Sequence, residues 1–376
     1  MNLMNPMNPI LLSSIRQGGP ITVARFMELA LYHPEHGYYS TASRRSGREG
    51  DYFTSVDVGP LFGQLLAAQI AGMWSVLREQ GATEFHLVEA GAGDGRLARD
   101  MLDAIATEQP DLYEALRVTL VERSDAARER HGEVLGAHPD TITVESAASL
   151  PQAITGAIVA NELLDALPVH VVVMTAGGLR EVHVGETAGE LGEVLLPPAN
   201  ADIERLIENT GVTIPQGVRA EVGLAAVDWI EHASRSIDRG FLLVLDYGHD
   251  AAALNSEAHA GGTLVAYRGH MAESGGWLDT PGCRDLTAHV NLTAVRNAAI
   301  GAGLKPLGVV DQTYFLTSLG LSERLDDGQG VESVRRRLAA RTLIVPGGLG
   351  SAIKALAFGK RVGTPSLRGF LTGRAT

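Results

Sequence analysis

The chain contains very little cysteine, since Cys283 is the one cysteine among 376 residues. An intramolecular disulfide and a cysteine-based zinc site are therefore excluded. No run of the sequence approaches the roughly 20 apolar residues that span a bilayer, so no membrane insertion is expected. Positive charge is also scarce, with 31 Lys and Arg against 44 Asp and Glu and a net charge of -13. Because Lys and Arg supply most nonspecific nucleic-acid affinity, this balance argues against a nucleic-acid partner.

A recognisable export signal is missing as well. The N-terminal sequence "MNLMNPMNPILLSSI" has neither a charged region nor a long apolar region, which together mark a secretory signal. With disulfides excluded, a reducing, cytoplasmic location is expected. The one local basic run, Val334–Arg341, is expected to be the solvated face of a helix.

Short apolar runs alternate with helix-like segments from Phe85 to Pro168. The runs are "HLVEA", "RVTLVERS", "TITVES" and "GAIVANELL", with the helical segment "LARDMLDAIATE" between the first two. Strands and helices in this alternation predict βαβ units and a mostly parallel sheet, and hence an α/β fold. A later run, "GFLLVLDYG", is a further buried-strand candidate.

The chain is predicted to divide into four segments. Residues 1–60 form an N-terminal helical and loop extension that contributes to a ligand site, and residues 61–186 form the first part of the α/β core. Residues 187–239 are an insertion, either a lid or a partner-docking surface, and residues 240–376 complete the core. The segment "VHVVVMTAGGLREVHVGE" predicts a β-hairpin around an Ala-Gly-Gly turn.

The most informative stretch is "FHLVEAGAGDGRLARDML", which passes from a strand through three glycines into a helix. Glycines let a ligand approach the backbone, and a helix N-terminus offers free amides. The dinucleotide fingerprint G-x-G-x-x-G requires a glycine where Arg96 stands, which disfavours NAD. The phosphate-loop motif G-x-x-x-x-G-K-[ST] is absent from the sequence.

An acidic residue ahead of G-x-G-x-G resembles the first motif of S-adenosylmethionine-dependent methyltransferases. The matching residues are Glu89, Gly91, Gly93 and Gly95. That cofactor carries a sulfonium and an α-amino group, so acceptors such as Glu89 and Asp94 suit it. Glu122, at the end of the next strand, is expected to bind the ribose hydroxyls, although dehydrogenases also bind ribose with an acidic residue at this position.

Three polar residues end the fourth parallel-strand candidate, in "VANELLDALPVH": Asn161, Glu162 and Asp165. The carboxyl ends of strands are where open α/β sheets bind ligands. If the acceptor is a guanidinium, Glu162 and Asp165 could accept its N–H groups and orient one nitrogen. Capping of the following helix is the alternative role.

Two further segments supply candidates. Thr54 and Ser55 lie in "GDYFTSVDVG", where ligand contact and N-capping by Ser55 or Asp57 are both open. His289, in "PGCRDLTAHVN", is a candidate proton acceptor, with a structural hydrogen bond as the alternative. The sequence has 12 histidines but no ligand-spaced cluster, so no metal is predicted.

Together these segments resemble the MidA-like methyltransferases, a family that includes a mitochondrial complex I assembly factor. The resemblance rests on "HPEHGYYS", "GDYFTSVDVGPLFGQLLA", "VEAGAGDGRLARDML", "ANELLDALPVH", "LDYG", "GTLVAYRGH", "PGCRDLTAHVN" and "DQTYFLTSLG", in the family's order. It covers the chain from about Thr22 to Lys360. Family members often have E-L-G-P-G-R-G and N-E-F-F-D-A-L-P; here Ala90, Ala92 and Asp94 differ, and Leu163-Leu164 replaces the aromatic pair.

The resemblance implies a Rossmann-like core with a seven-stranded sheet, an S-adenosyl-L-methionine cofactor, and methylation of an arginine in a partner protein. In the mitochondrial members that partner is a complex I subunit, so a respiratory-complex subunit is a candidate. By motif match, the resemblance implies that Glu89, Gly91, Gly93 and Gly95 hold the cofactor, with Glu122 on its ribose, and that Asn161, Glu162 and Asp165 lie on the acceptor side. Together with the candidates from the residues themselves, the predicted cofactor-binding residues are Glu89, Gly91, Ala92, Gly93, Gly95, Glu122, Thr54, Ser55 and Asn161, and the predicted catalytic residues are Glu162, Asp165, Asn161 and His289.

Other functions stay open at this point. The insertion at residues 187–239 could enclose a small-molecule acceptor, or the chain could be a non-catalytic assembly factor on a methyltransferase scaffold. An NAD-dependent oxidoreductase is the least favoured. The oligomeric state is open, with a homodimer as one option.

Overall fold

The computed structural model describes residues 7–41, 54–268, 271–273, 276–325, 328 and 330–371. The chain divides into two compact units. The first unit comprises Met1–Phe53, Leu164–Ile230 and Gly248–Ala298, and the second comprises Thr54–Leu163, Glu231–Tyr247 and Ala299–Thr376. The predicted segment boundaries at 61, 187 and 240, and the lid or docking role of residues 187–239, stay predictions.

The helices follow one another along both units. They are α1 Met7–Gly18, α2 Val23–Tyr32, α3 Tyr38–Thr41, α4 Leu61–Glu79, α5 Arg96–Glu108, α6 Pro110–Glu114, α7 Asp125–Arg128, α8 His131–Leu135, α9 Ala201–Asn209, α10 Leu224–Ser236, α11 Ala251–Leu254, α12 Leu292–Gly301, α13 Gln312–Ser318, α14 Val331–Ile344 and α15 Leu349–Ala352. Short 3-10 helices lie at Val56–Val58, His138–Asp140, Glu257–His259, Ser322–Arg324 and Arg368–Phe370.

The strands are β1 Ile21–Thr22, β2 Phe85–Ala90, β3 Leu116–Val121, β4 Thr143–Ala147, β5 Ile154–Asn161, β6 His170–Thr175, β7 Gly178–Thr187, β8 Glu190–Leu196, β9 Arg219–Val222, β10 Ile237–His249, β11 Val265–Arg268, β12 Met271–Glu273, β13 Asp285–Thr287, β14 Val290–Asn291, β15 Lys305–Asp311 and β16 Ile353–Lys360. The apolar runs "HLVEA", "TITVES", "GAIVANELL" and "GFLLVLDYG" all contribute strands, as predicted.

The second unit contains a mixed sheet in the order β15-β16-β10-β5-β2-β3-β4. Strands β10, β5, β2, β3 and β4 are parallel to one another, whereas β16 pairs antiparallel with both β10 and β15. The predicted α/β fold with a mostly parallel sheet is confirmed; seven strands follow this order, and β14 is an eighth that pairs with β10. β5 is buried without interruption from Gly156 to Ala160, on both faces, as expected of a central parallel strand.

The register of this sheet determines which strand ends are neighbours. Ala90 pairs with Val121 on one side and with Ala160 on the other, and Asn161 pairs with Leu245. The loops that follow β2, β3, β5 and β10 therefore leave the sheet at one edge, side by side. This is the edge where parallel α/β sheets bind ligands.

Helices α4 and α5 bury the apolar sequence that their periodicity predicts. Phe62, Leu66 and Met101 are fully buried in the unit's core. Gly63 allows the two helices to approach closely, because a Cβ there would lie 2.5 Å from the Cβ of Asp100. α14 is a helix that carries the basic run, with its arginines largely exposed, as predicted.

The first unit contains antiparallel strands in the order β1-β7-β6-β9, with β8 paired to β7. The predicted hairpin is confirmed: β6 and β7 pair from Val171↔Val182 to Thr175↔Gly178. A three-stranded sheet has the order β12-β11-β13, and β14 pairs in parallel with the end of β10. Over the described residues of both units, none of the helices has the length and apolar content required to traverse a bilayer.

Candidate functional site

The glycine turn between β2 and α5 adopts a backbone that only glycine accommodates without strain. Gly91, Gly93 and Gly95 have φ of 71°, 56° and 89°, in the left-handed region. The amides of Gly91 and Ala92 both donate to the carbonyl of Val121, at 2.9 and 3.0 Å. The end of β3 thus holds the start of the turn. A Cβ on Gly93 would meet nothing within 4 Å, so the turn is open at its centre.

Glu122 follows β3 and faces this turn. Its Oε2 accepts a hydrogen bond from the Gly93 amide at 3.0 Å, and its Oε1 accepts one from the Ser124 amide at 2.8 Å. Arg128 Nη1 donates to the Glu122 carbonyl at 2.6 Å. Main-chain donors therefore fix the carboxylate beside the glycines, the position where a sugar hydroxyl donor is expected.

Glu89 lies in β2 just ahead of the turn and is almost completely buried, with 4% of its surface exposed. Burial raises the pKa of its carboxyl to about 8. The amide of Ala98 opposes this rise by donating a hydrogen bond, and the charges of Asp94 and Glu122 add to it. Among the described residues, Oε2 of Glu89 has no hydrogen-bond partner. An unsatisfied buried carboxyl oxygen beside the open turn suits a cationic group of a ligand.

His131 supports the turn from inside the unit, a role that was not predicted from the sequence. The ring is 1% exposed, with Nε2 3.0 Å from the Gly93 carbonyl and Nδ1 2.8 Å from Ser146 Oγ. A carbonyl only accepts, so Nε2 carries the proton and Nδ1 accepts from the serine hydroxyl. No local motif marks a histidine 38 positions beyond its partner.

Arg96, whose bulk argued against a dinucleotide, pairs with two acids. Its Nη2 lies 2.9 Å from Asp57 Oδ1 and its Nε lies 3.2 Å from Asp94 Oδ1. The other oxygen of Asp57 accepts from the amide and hydroxyl of Thr54, at 3.0 and 2.9 Å. Arg96 thus connects the 54–58 loop to the start of α5.

The capping role considered for Ser55 and Asp57 is wrong, because α4 begins after Pro60 with no side-chain cap. Ser55 is fully buried, and its Oγ donates to Gln312 Oε1 at 3.1 Å. Its main-chain N–H donates to Glu162 Oε1 at 3.1 Å. The loop therefore contacts the end of β5 rather than capping a helix.

Asn161 and Glu162 lie together at the end of β5. Asn161 Nδ2 donates to Glu162 Oε1 at 3.3 Å, while Asn161 Oδ1 is buried and has no hydrogen-bond partner within the described chain. Glu162 has a φ of 49°, unusual for a residue with a side chain. Strained backbone of this kind costs about 1–3 kcal/mol and concentrates at functional sites.

The strained turn is held from the neighbouring strand by Asp246, which the sequence did not single out for this role. Asp246 is fully buried, and its two oxygens accept hydrogen bonds from the Leu163 amide at 3.1 Å and the Tyr247 amide at 2.9 Å. The Glu162 amide itself donates to the Leu245 carbonyl at 2.8 Å. The end of β10 therefore orients the end of β5.

Asp165 and His289 belong to the first unit. Asp165 is 8% exposed, and its carbonyl accepts from the Ala288 amide at 2.9 Å. Burial, followed by the charges of His249 and His259, lowers the pKa of His289 to about 4. An imidazole with that pKa is a weaker base than an ordinary histidine. The catalytic roles of both residues stay predictions.

Acids at the strand ends and a glycine turn, together at one edge of a mostly parallel sheet, are typical of α/β proteins that bind an adenosyl-type cofactor. A family model of S-adenosyl-L-methionine-dependent methyltransferases matches residues 65–310. This chain belongs to that family. The family resemblance and the cofactor predicted from the motifs are confirmed.

Curated relatives agree with this assignment. The chain is 31% identical over 370 residues to "Protein arginine methyltransferase NDUFAF7, mitochondrial" of Rattus norvegicus, covering 90% of this chain and 80% of the relative. The Homo sapiens protein of the same name is 30% identical over 368 residues, with 89% and 79% covered. A crystal structure from Burkholderia thailandensis, bound to S-adenosyl-homocysteine, superposes with a TM-score of 0.87 at 31% identity, covering 97% of this chain and 94% of that one.

The cytoplasmic location expected from the sequence is contradicted, because these relatives are named mitochondrial. The absence of secretory and membrane-spanning signals was not sufficient to predict the compartment.

The residues of the second unit fit the family's cofactor. Glu89 offers an unsatisfied buried oxygen to a cationic group, Gly93 leaves open space, and Glu122 presents a fixed carboxylate. Glu89 suits the α-amino group of S-adenosyl-L-methionine and Glu122 suits its ribose. The open space at Gly93 suits close approach of the cofactor to the backbone.

Proposed function

We propose that this protein transfers a methyl group from S-adenosyl-L-methionine to an arginine side chain of a partner protein. The family membership supports the cofactor and reaction class, and the names of the 28–31% identical relatives support arginine as acceptor. From the family resemblance, we propose a respiratory-complex subunit as the partner.

The single observation that carries the proposal is the strained Glu162 at the end of β5. Its carboxylate is held by the Ser55 amide and the Asn161 side chain, and its backbone by Leu245. β5 pairs directly with β2, so this acid leaves the sheet beside the glycine turn. A carboxylate at this point is suited to accept guanidinium N–H groups in charge-assisted hydrogen bonds.

The cofactor residues are proposed on the geometry of the same edge. Glu89 would accept from the cationic end of the cofactor, and Glu122 from the ribose hydroxyls. The open backbone at Gly93 would allow close approach, with Gly91, Ala92 and Gly95 shaping the turn around it. Thr54, Ser55 and Asn161 would complete the site: Ser55 and Asn161 each donate to Glu162, and Thr54 precedes Ser55 in the same loop.

When bound, the cofactor supplies the electrophilic methyl group. The chain's own residues orient the acceptor: Glu162 holds the guanidinium so that one nitrogen is presented, and its negative charge stabilises the cationic product. Methylated arginine remains charged, so the proton lost from the nitrogen passes to solvent or to a nearby base.

The test is methyl transfer from labelled S-adenosyl-L-methionine to arginine peptides and their lysine counterparts. Wild type is expected to label the arginine peptides alone. Glu162→Gln is expected to reduce turnover at least about 100-fold while S-adenosylhomocysteine binding is retained. Glu145→Gln, an exposed acid on β4, serves as the matched control. Full turnover by Glu162→Gln would remove this residue from the mechanism.

A further inference from the structure

We propose that His249, His259 and His289 form a binding site for a divalent transition-metal ion, with zinc as the expected occupant. Each residue offers one ring nitrogen, and the three nitrogens all lie within 4.8 Å of one another. The ring centroids are 5.3 Å apart for His249 with His259 and with His289, and 6.4 Å apart for His259 with His289. All three residues belong to the first unit.

Three separate segments bring these side chains together. His249 ends β10, His259 ends the 3-10 helix Glu257–His259, and His289 lies between β13 and β14. β10 and β14 pair in parallel at Gly248↔Val290 and His249↔Asn291. A Cβ on Gly248 would lie 2.5 Å from the Val290 carbonyl, so this glycine permits the close approach. The backbone therefore places His249 beside the residues that follow His289.

His289 is held by a hydrogen-bond relay within the unit. Its amide donates to Thr263 Oγ1 at 3.0 Å, and the Thr263 hydroxyl and amide each donate to Glu221 at 2.9 Å. The preceding amide, that of Ala288, donates to the Asp165 carbonyl at 2.9 Å. Such support keeps a ligand in place, as metal sites require.

His259 has the hydrogen bond typical of a metal ligand. Its Nδ1 lies 2.9 Å from the Ala253 carbonyl. Because a carbonyl only accepts, Nδ1 carries the proton and Nε2 keeps its lone pair. Metal-binding histidines characteristically donate their other ring N–H to a carbonyl or carboxylate in this way, which fixes the tautomer and the ring orientation.

A second observation concerns His289, whose Nδ1 is buried and lacks a hydrogen-bond partner among the described residues. A buried polar atom without a partner costs about 1–3 kcal/mol, so its presence calls for an explanation. A cation bound by the three histidine rings would supply the partner that this nitrogen lacks.

The ligand set indicates the class of metal. Imidazole nitrogens bind zinc and its neighbours in the first transition series, whereas calcium and magnesium prefer oxygen. Nitrogens bound to a tetrahedral zinc ion lie about 3.4 Å apart, so the three rings, whose nitrogens lie within 4.8 Å of one another, would move closer together on binding. Three histidines leave a fourth position for solvent.

The sequence predicted no metal because these histidines are 10 and 30 residues apart and form no ligand-spaced motif.

The experiment uses the full chain without a polyhistidine tag, treated with chelator and then titrated with Zn²⁺. We expect one zinc per chain by elemental analysis and a melting temperature raised by at least about 3 °C. Co²⁺ is expected to give the intense visible bands of a tetrahedral nitrogen site. Failure of the wild-type protein to retain zinc or to develop these bands would overturn the proposal.

Substitutions of the histidines test whether the metal binds at this cluster. His259→Gln and His289→Gln are each expected to lose the bound metal and the visible bands while keeping the wild-type circular dichroism. His232→Gln, an exposed histidine on α10, is the matched control and is expected to bind zinc normally. Normal binding by both cluster variants would show that zinc binds elsewhere, and would contradict the assignment. None of these readouts depends on methyl transfer.

Discussion

The main-chain N–H of Gly93 donates a hydrogen bond to Oε2 of Glu122 over 3.0 Å. This bond joins the centre of the glycine turn to the end of the adjacent strand, so the two elements orient each other. For the proposed role of Glu122 in cofactor binding, a carboxylate held in place in this way would reduce the entropy lost on binding.

Replacing Glu122 is expected to weaken cofactor binding strongly. Glu122→Gln removes the charge that accepts from Gly93 and Ser124, and hydrogen bonds to charged groups contribute about 1.5–3 kcal/mol each. We expect the Kd for S-adenosylhomocysteine to rise about 10- to 100-fold by calorimetric titration. Glu129→Gln, an exposed neighbour, should bind like wild type. An unchanged Kd for Glu122→Gln would exclude Glu122 from the site.

Glu89 is expected to make cofactor binding dependent on pH. With a pKa of about 8, its carboxyl is mostly protonated at pH 7, whereas a cationic ligand favours the ionised form. S-adenosylhomocysteine affinity should therefore increase from pH 6 to about 8 and then level off. Titrations in buffers of different ionisation enthalpy should show proton release at pH 7. Glu89→Gln should flatten the profile, and a flat wild-type profile would be evidence against this role.

Glu89 is also expected to make the stability of the fold depend on pH, in the opposite direction to cofactor affinity. Because the folded-state pKa lies above the ordinary value of 4.5, the folded protein binds the proton more tightly than the unfolded chain. Glu89 therefore costs stability as the pH rises from about 4.5 through 8. Cofactor-free Glu89→Gln should melt higher than wild type at pH 9, with a smaller difference at pH 5. Scanning calorimetry at the two pH values measures this, and a lower melting temperature at pH 9 would contradict it.

Substitution by alanine is expected to lower the stability of the protein more at Gly95 than at Gly93. At Gly95 a Cβ would lie 3.0 Å from Leu120 and 3.4 Å from His131, in addition to the positive φ. Gly95→Ala should therefore lose about 1–3 kcal/mol of stability. Gly93→Ala meets no neighbour and should cost less stability, but it should weaken cofactor binding more than folding.

Denaturant unfolding and cofactor titration of both glycine variants separate the two effects. Gly132→Ala, in helix α8 with open space and no positive φ, is the matched control and should be neutral or slightly stabilising. Equal losses of stability in Gly93→Ala and Gly95→Ala would show that packing does not distinguish the two positions.

His131 is expected to be a positioning residue for the glycine turn. His131→Ala removes the donor to the Gly93 carbonyl and leaves a buried space, so both stability and cofactor affinity should decrease. His131→Asn, which retains a side-chain N–H donor, should recover part of the affinity. The comparison of Kd between these variants is the test. Equal affinity in wild type and His131→Ala would limit His131 to a packing role.

Local patterns of sequence were sufficient for much of the core. Continuous apolar runs predicted β2, β5 and β10, and a helical pattern predicted α5, because a buried strand or an amphipathic helix satisfies its pattern within a few residues. The acid ahead of the three glycines and the acid after β3 were recognisable for the same reason. The short edge strand β15 was missed, since "KPLGVVD" contains glycine and proline and has little apolar alternation.

The α/β fold, the glycine turn and the identity of the acids at the strand ends could therefore be predicted from the sequence. The contacts of Ser55 with Glu162, 107 residues away, and of Asp246 with Leu163, 83 residues away, are evident only in the folded chain. Folding also brings one ring nitrogen from each of three distant histidines within 4.8 Å of the other two. The physical reason is that these contacts depend on strand register and crossover connections. Contacts between residues so far apart impose no spacing on the sequence around them, and only the folded chain reveals them.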